Sequence, residues 1–317
     1  MMPQPMPLAY LNGRFLPQTE AHLALNDAGF VWGATITDLC RTFAGRPFRL
    51  ADHLRRFRQS CEAASVPMTA SDEELAGVAE RLVHQNMPPG ADALGSPGAE
   101  LAIVFFATPG PIGYYLGEPG GPGDGPPTLG VHTFPLPFAR YHRLVRDGAV
   151  LVVPSARHIP AACVDPRIKQ RSRISSWIAE QEARRIEPGA SALLLDADGF
   201  VTETVAANFL IVRDGVVRSP PRDGILHGVS LQVVEELCRD LVIPFAEQRL
   251  TIDDCRTADE AMVAGTSYCL AGVRRIGGAD LPPTEINPAA RSVRRRLLDE
   301  WSRRVGVDIE RQILSNR

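Results

Sequence analysis

Residues 109–127 read PGPIGYYLGEPGGPGDGPP, a run so dense in glycine and proline that neither a helix nor a strand can persist through it. A chain of 317 residues broken in this way must be organised about the break. The boundary is expected in or just after it. This gives a small N-terminal α/β domain over 1–127, with its connecting loop starting at 109, a larger domain over 128–287 and an Arg-rich helical tail over 288–317.

Local patterns on either side are regular. Residues 8–16 place two short apolar runs about Asn12-Gly13, the strongest two-residue hairpin signal. Asp52 is positioned to cap a helix through His53, Leu54, Phe57 and Cys61, and Ser71 with Glu74 starts another that reaches about His84. Residues 101–106 (LAIVFF) read as a buried strand. After the break, 149–153 and 192–195 are strand-like, 173–186 is a helix with Ile174, Trp177 and Ile178 on one side, 209–217 is a hairpin about Asp214-Gly215, and 230–241 is an amphipathic helix. Strands and helices alternate without a strict βαβ period, which predicts two α/β lobes, α+β in character, with mixed sheets.

A formal charge of −3 with 44% hydrophobic residues gives no electrostatic case for nucleic acid or an anionic membrane surface. The Arg-rich stretch 291–304 reads as the exposed face of a helix. No stretch approaches eighteen uninterrupted apolar residues, no secretory pattern opens the chain, and six cysteines occur without a CxxC pair. A cytoplasmic protein with no metal site is expected.

The chemistry concentrates on one position. Lys169 is the sole lysine; the other 33 basic residues are arginine. A guanidinium stays protonated, whereas a desolvated lysine amine can lose its proton and attack a carbonyl, from a substrate or from pyridoxal phosphate. Glu203 follows in a strand after an Asp-Gly turn, and a carboxylate facing a pyridine nitrogen keeps that nitrogen protonated. Leu226-His227-Gly228-Val229-Ser230 runs straight into a helix, so the Val229 and Ser230 amides would meet an anion at the positive end of its dipole. The plainer reading is a Ser230 N-cap. Gly265-Thr266-Ser267 offers a second turn rich in donors, and Arg56 a cation.

These segments, in this order from about 8 to 278, resemble the fold-type IV pyridoxal phosphate enzymes, the class IV aminotransferase family. His53-Leu54-Arg55-Arg56-Phe57 resembles its HLxRL helix, Glu203 with Asn208-Phe209 its E-x4-NF segment, Leu226-His227-Gly228-Val229-Ser230 its phosphate loop, and Gly265-Thr266 its GT turn. The resemblance implies a two-lobed fold, with 128–287 as the cofactor domain. It further implies a homodimer and a transaminase acting on an amino donor and a keto acid through a Lys169 Schiff base. On this view Arg56, Asn208, Leu226, Val229, Ser230 and Thr266 hold the cofactor with Lys169 and Glu203. Trp32, Thr37, Phe106 and Ser267 are candidates for the substrate pocket.

The sequence also departs from the family. Gly33-Ala34-Thr35-Ile36-Thr37-Asp38 stands where GDGxFE is usual, and no aromatic residue follows closely after Lys169. Donor and stereochemistry stay open. An aminodeoxychorismate lyase-like reaction and a non-catalytic cofactor-binding role are the alternatives.

Overall fold

The computed structural model describes residues 6–88, 100–282 and 292–315. The chain forms two compact units, Met1–Leu136 with Ile168–Ser172, and Pro137–Arg167 with Arg173–Arg317.

In the first unit, β1 (Leu8–Leu11) and β2 (Arg14–Pro17) form the expected hairpin. Asn12 and Gly13 both take left-handed backbone, φ 48° and 84°, as this tight turn requires. Helix α1 (Ala28–Val31), β3 (Ile36–Phe43) and β4 (Arg46–Pro47) follow, then α2 (Leu50–Ala63), α3 (Asp72–Asn86), β5 (Leu101–Thr108) and β6 (Thr128–Pro135). The six strands make one sheet in the order β2-β1-β6-β5-β3-β4. Ser71 and Glu74 make a reciprocal capping box at the start of α3. Asp52 does not cap α2. That helix starts two residues earlier, behind Arg49 in left-handed backbone, and Asp52 in its first turn pairs with Arg49 and Arg55. Leu54, Phe57, Cys61, Leu75, Ala79 and Leu82 from the two helices pack on Cys40, Ile103, Phe105 and Val131 from one face of the sheet.

β6 pairs with β5 from Leu101↔Pro135 to Thr108↔Thr128. The Gly/Pro run therefore joins two neighbouring strands of one sheet, and the units part at Leu136 and Pro137, later than its composition suggested. Segment 168–172 returns to the first unit and lies antiparallel to the start of β3, with Thr37 N donating to Lys169 O at 2.9 Å, Arg171 N to Thr35 O at 2.8 Å, and Ile36 bridged to Gln170.

The second unit contains α4 (Phe138–Asp147), β7 (Ala149–Val152), α5 (Ile174–Ile186), β8 (Ser191–Leu195), β9 (Val201–Thr204), β10 (Asn208–Arg213) and β11 (Val216–Ser219). Next come α6 (Val229–Asp240), β12 (Phe245–Glu247), α7 (Ile252–Arg256), β13 (Glu260–Gly265), β14 (Cys269–Ile276) and β15 (Ala279–Asp280), then α8 (Val293–Val305) and α9 (Ile309–Ser315). The strand order β10-β13-β14-β7-β8-β9 closes on itself, because β9 also pairs with β10 through Glu203↔Asn208. Phe209, Ile211, Val263, Ala271, Leu151 and Leu193 fill a core of this sheet. Helix α5 turns Ala179 and Ala183 inward, while Ile174 and Trp177 are 70% and 61% exposed. The Arg-rich helix α8 buries Leu297, Leu298 and Trp301 and packs on α6, β13 and β14, so it is built into the second unit. The expected 287/288 boundary and Arg291 lie outside the described residues. No described helix is long and apolar enough to cross a membrane.

Candidate active site

Residues paired across an antiparallel ladder share a face, and successive residues alternate. Ile36 faces the helix-covered core. Thr37 and its neighbour Lys169 therefore project from the opposite face. The Lys169 backbone is held at both polar atoms, its N–H donating to Ser60 Oγ at 3.2 Å and its carbonyl accepting from Thr37 N. Thr37 donates its hydroxyl to Phe105 O at 2.9 Å, and Phe106, opposite Thr37 in the ladder, lays its ring across Gly130, where a Cβ would overlap it. Trp32, at the C-terminal end of α1, is 61% exposed.

Behind Lys169, on the helix side, a buried charge cluster joins β3 to α2. Asp38 accepts Arg56 Nε and Nη2, each at 2.8 Å, and faces His53 Nδ1 at 2.7 Å. Asp38 is completely buried, and His53 and Arg56 nearly so. Burial alone would raise the Asp38 carboxyl, but the Arg56 guanidinium and His53 outweigh it and hold the carboxyl well below its usual range. His53 is moved down, by burial first and against the pull of Asp38, with the Arg56 and Lys169 charges adding to the depression. Arg56 thus spends two of its five donors on a fixed internal carboxylate, which sets the direction of the guanidinium. Asp38 was not singled out in the sequence, because its partners lie 15 and 18 residues away.

The second unit gathers the other candidates at one end of its closed sheet. Glu203, Asn208 and Ala264 form a row across β9, β10 and β13. The turn carrying Thr266 and Ser267 begins two residues beyond Ala264 and joins β13 to β14. Glu203 Oε2 accepts from Asn208 Nδ2 at 3.0 Å and from Leu226 N at 3.3 Å, and Asn208 Nδ2 also donates to Leu226 O at 2.9 Å. The segment leading into α6 is tied to the Glu203 row by these bonds. His158, not anticipated from sequence, brings Nε2 to 3.5 Å from Glu203 Oε1.

Gly228, not Ser230, is the N-cap of α6, and no side chain caps it. Val229 and Ser230 occupy the first two helical positions, where amides have no carbonyl one turn back to bond. Gly228 is sterically required, since a Cβ there would overlap Asn208 Oδ1. Gly228→Ala should displace Asn208 from Glu203 and destabilise the protein by about 1–3 kcal/mol as an overpacked site does. Urea denaturation checks the loss, and unchanged stability would mean that Asn208 is not tightly held.

Among the described residues no group of histidine, cysteine and acidic side chains could hold a metal ion. The sequence pattern of the amino-transferase class IV family matches residues 35–276. A provisionally named branched-chain-amino-acid aminotransferase of Methanocaldococcus jannaschii is 27% identical over 292 residues, covering 92% of this chain and 95% of its own. A D-alanine aminotransferase of Staphylococcus aureus is 24% identical, covering 90% and 94%. The crystal structure of a branched-chain amino acid aminotransferase from T.th., with pyridoxamine 5'-phosphate, superposes with a TM-score of 0.79 at 25% identity, covering 95% and 94%.

Proposed function

The chain belongs to the class IV aminotransferase family, and from that premise we propose that Lys169 and Glu203 are the catalytic residues of a pyridoxal 5'-phosphate site that transfers an amino group from a donor to a keto acid. The observation that carries this reading is the sheet end of the second unit, where a carboxylate fixed by Asn208 and Leu226 N stands beside an uncapped helix start. These residues suit the cofactor. A carboxylate matches a pyridinium, and the first-turn amides of α6 match a phosphate. Arg56, Ser230 and Thr266 complete the phosphate site. When bound, the cofactor supplies an electron sink for negative charge at the substrate α-carbon.

The protein's own work divides among few side chains. Lys169 Nζ is the amine that would hold the cofactor through its carbonyl carbon and, when released, would take up the proton at the substrate α-carbon. Glu203 keeps the proton on the pyridine nitrogen. Asp38 keeps Arg56 oriented. Thr37, Phe106, Trp32 and Ser267 are assigned to the substrate pocket. The exposed Ile174, Trp177 and Ile178 face of α5 supports a homodimer, since burying it in a second copy would remove apolar surface from water.

A single half-reaction tests the assignment. Mixed with an amino donor alone, the yellow holoenzyme should lose its visible absorbance once and stop with the cofactor as pyridoxamine phosphate; a keto acid should then restore the colour. Continuous product release from aminodeoxychorismate with no keto acid present would replace transfer by elimination.

A further inference from the structure

Asn208 and Leu226 hold the Glu203 carboxylate by one oxygen, and a carboxylate held so can still turn. We infer that His158 is a positioning residue for the reaction, one that fixes the second oxygen of Glu203 and acts through it on the proton of the cofactor's pyridine nitrogen. This rests on the cofactor reading above.

The two established donors both reach Oε2, Asn208 Nδ2 at 3.0 Å and Leu226 N at 3.3 Å. The last torsion of a glutamate is broad and roughly two-fold, so bonds to a single oxygen define the carboxylate plane poorly. That plane matters, because a donor at an sp² oxygen is met best near it. A group at Oε1 would fix it. Among the described residues that group is His158, whose Nε2 stands 3.5 Å from Oε1.

The chain places this imidazole from two sides. His158 N–H donates to Leu195 O at 2.8 Å, and Leu195 on β8 pairs with Val201, two residues before Glu203 on β9. Three residues earlier, Ser155 donates its N–H and its hydroxyl to the Glu182 carboxylate on α5, at 2.7 and 2.8 Å. The ring itself is oriented by Nδ1, 3.1 Å from Ile159 O. A carbonyl oxygen can only accept, so Nδ1 carries a hydrogen; a second hydrogen, on Nε2, then faces Glu203 as a cation faces an anion. Fully solvated pairs of this kind contribute little. Here the two side chains are 18% and 15% exposed, so the pair is largely shielded. The ring also lines an open cavity of about 440 Å³ with Pro160, Thr202 and Ile225, so a different side chain at 158 disturbs no closed core.

The test compares pyridoxal phosphate with its analogue carrying carbon in place of the ring nitrogen, by calorimetric affinity for the full-length protein stripped of cofactor. Phosphate contacts are common to both ligands, so the ratio of affinities reports the carboxylate that faces the nitrogen. The wild-type protein should prefer pyridoxal phosphate about 10- to 100-fold, and Glu203→Gln should remove most of that preference, as for a charge-assisted hydrogen bond. His158→Asn, whose amide can replace Nδ1 at Ile159 O but cannot reach Glu203, should lower the preference about 3- to 10-fold, as coupling within one hydrogen-bond network does. His158→Gln, whose amide matches Nε2 in reach, should restore part of it. His158→Phe keeps a ring and makes neither contact; it should match His158→Asn, so that either variant decides if the other fails to fold. Added to Glu203→Gln, His158→Asn should change the ratio no further. Unchanged preference in His158→Asn and His158→Phe would overturn the inference and leave Glu203 in place, as would equal losses with and without the Glu203 carboxylate. A wild-type protein that binds both ligands equally, or neither, would overturn the cofactor reading itself and the inference with it.

Discussion

Lys169→Ala and Lys169→Arg are both expected to reduce kcat by at least about 10³-fold, as befits loss of a positioned proton-transfer group, and Lys169→Arg should do so although it keeps the positive charge. The reason is chemical. An arginine side chain has no amine that can both condense with a carbonyl and lose its proton near neutral pH, whereas lysine can do both. The composition makes the corresponding labelling experiment unusually clean, because a chain with one lysine offers borohydride one side-chain position at which to fix pyridoxal phosphate covalently. Peptide mapping should find the adduct at Lys169 and nowhere except, at a low level, the N-terminal amine. The backbone geometry adds a second requirement: Lys169 is pinned through Ser60 Oγ and Thr37 N, so Ser60→Ala should retain the adduct but slow its formation. An adduct on another residue, or full activity in Lys169→Arg, would remove Lys169 from the mechanism.

The sequence carried the features whose causes are local. Asn12-Gly13 demanded left-handed backbone and received it, Ser71 and Glu74 bonded each other across one helical turn, and the LAIVFF run became the central strand β5. The Glu203, Asn208 and Leu226 set was legible as a spaced motif, and its bonds span only 5 to 23 residues. What could not be read depends on distant partners. The Gly/Pro run marked a break in secondary structure correctly, yet whether a break separates units or joins strands is decided by where β6 pairs, and β6 pairs with β5. Trp177 and Ile178 mark an apolar side of α5, but the small residues Ala179 and Ala183 are those that fit close against the sheet. His158 meets Glu203 from 45 residues upstream, so it has no signal in its own neighbourhood.

Asp38→Asn should be the most destabilising of the conservative substitutions near the site, by about 3–5 kcal/mol at pH 7, because it leaves the Arg56 charge buried without its counter-ion. The amide keeps the shape of the carboxylate, so the loss reports charge and hydrogen bonding, with no cavity created. The pH dependence follows from the two depressed groups. Asp38 binds its proton more weakly in the folded than in the unfolded chain, so its contribution is complete well above the ordinary carboxylate value of 3.8 and disappears as pH falls through and below it. His53 is likewise depressed below 6.5, so the unfolded chain takes up a proton there more readily and stability also falls as pH drops below that value. Wild-type stability measured by urea denaturation should therefore decline steadily from pH 7 towards pH 4. The gap between wild type and Asp38→Asn should persist from pH 7 down to the ordinary carboxylate value of 3.8, because Asp38 also supports the His53 proton, and narrow only below it, where the wild-type protein loses its Asp38 charge. Cofactor affinity should drop in the same variant, because an Arg56 released from Asp38 no longer holds a fixed direction. Equal stability of the two proteins at pH 7, with equal affinity for pyridoxal phosphate, would show that the Asp38, His53 and Arg56 cluster neither secures β3 to α2 nor orients the guanidinium.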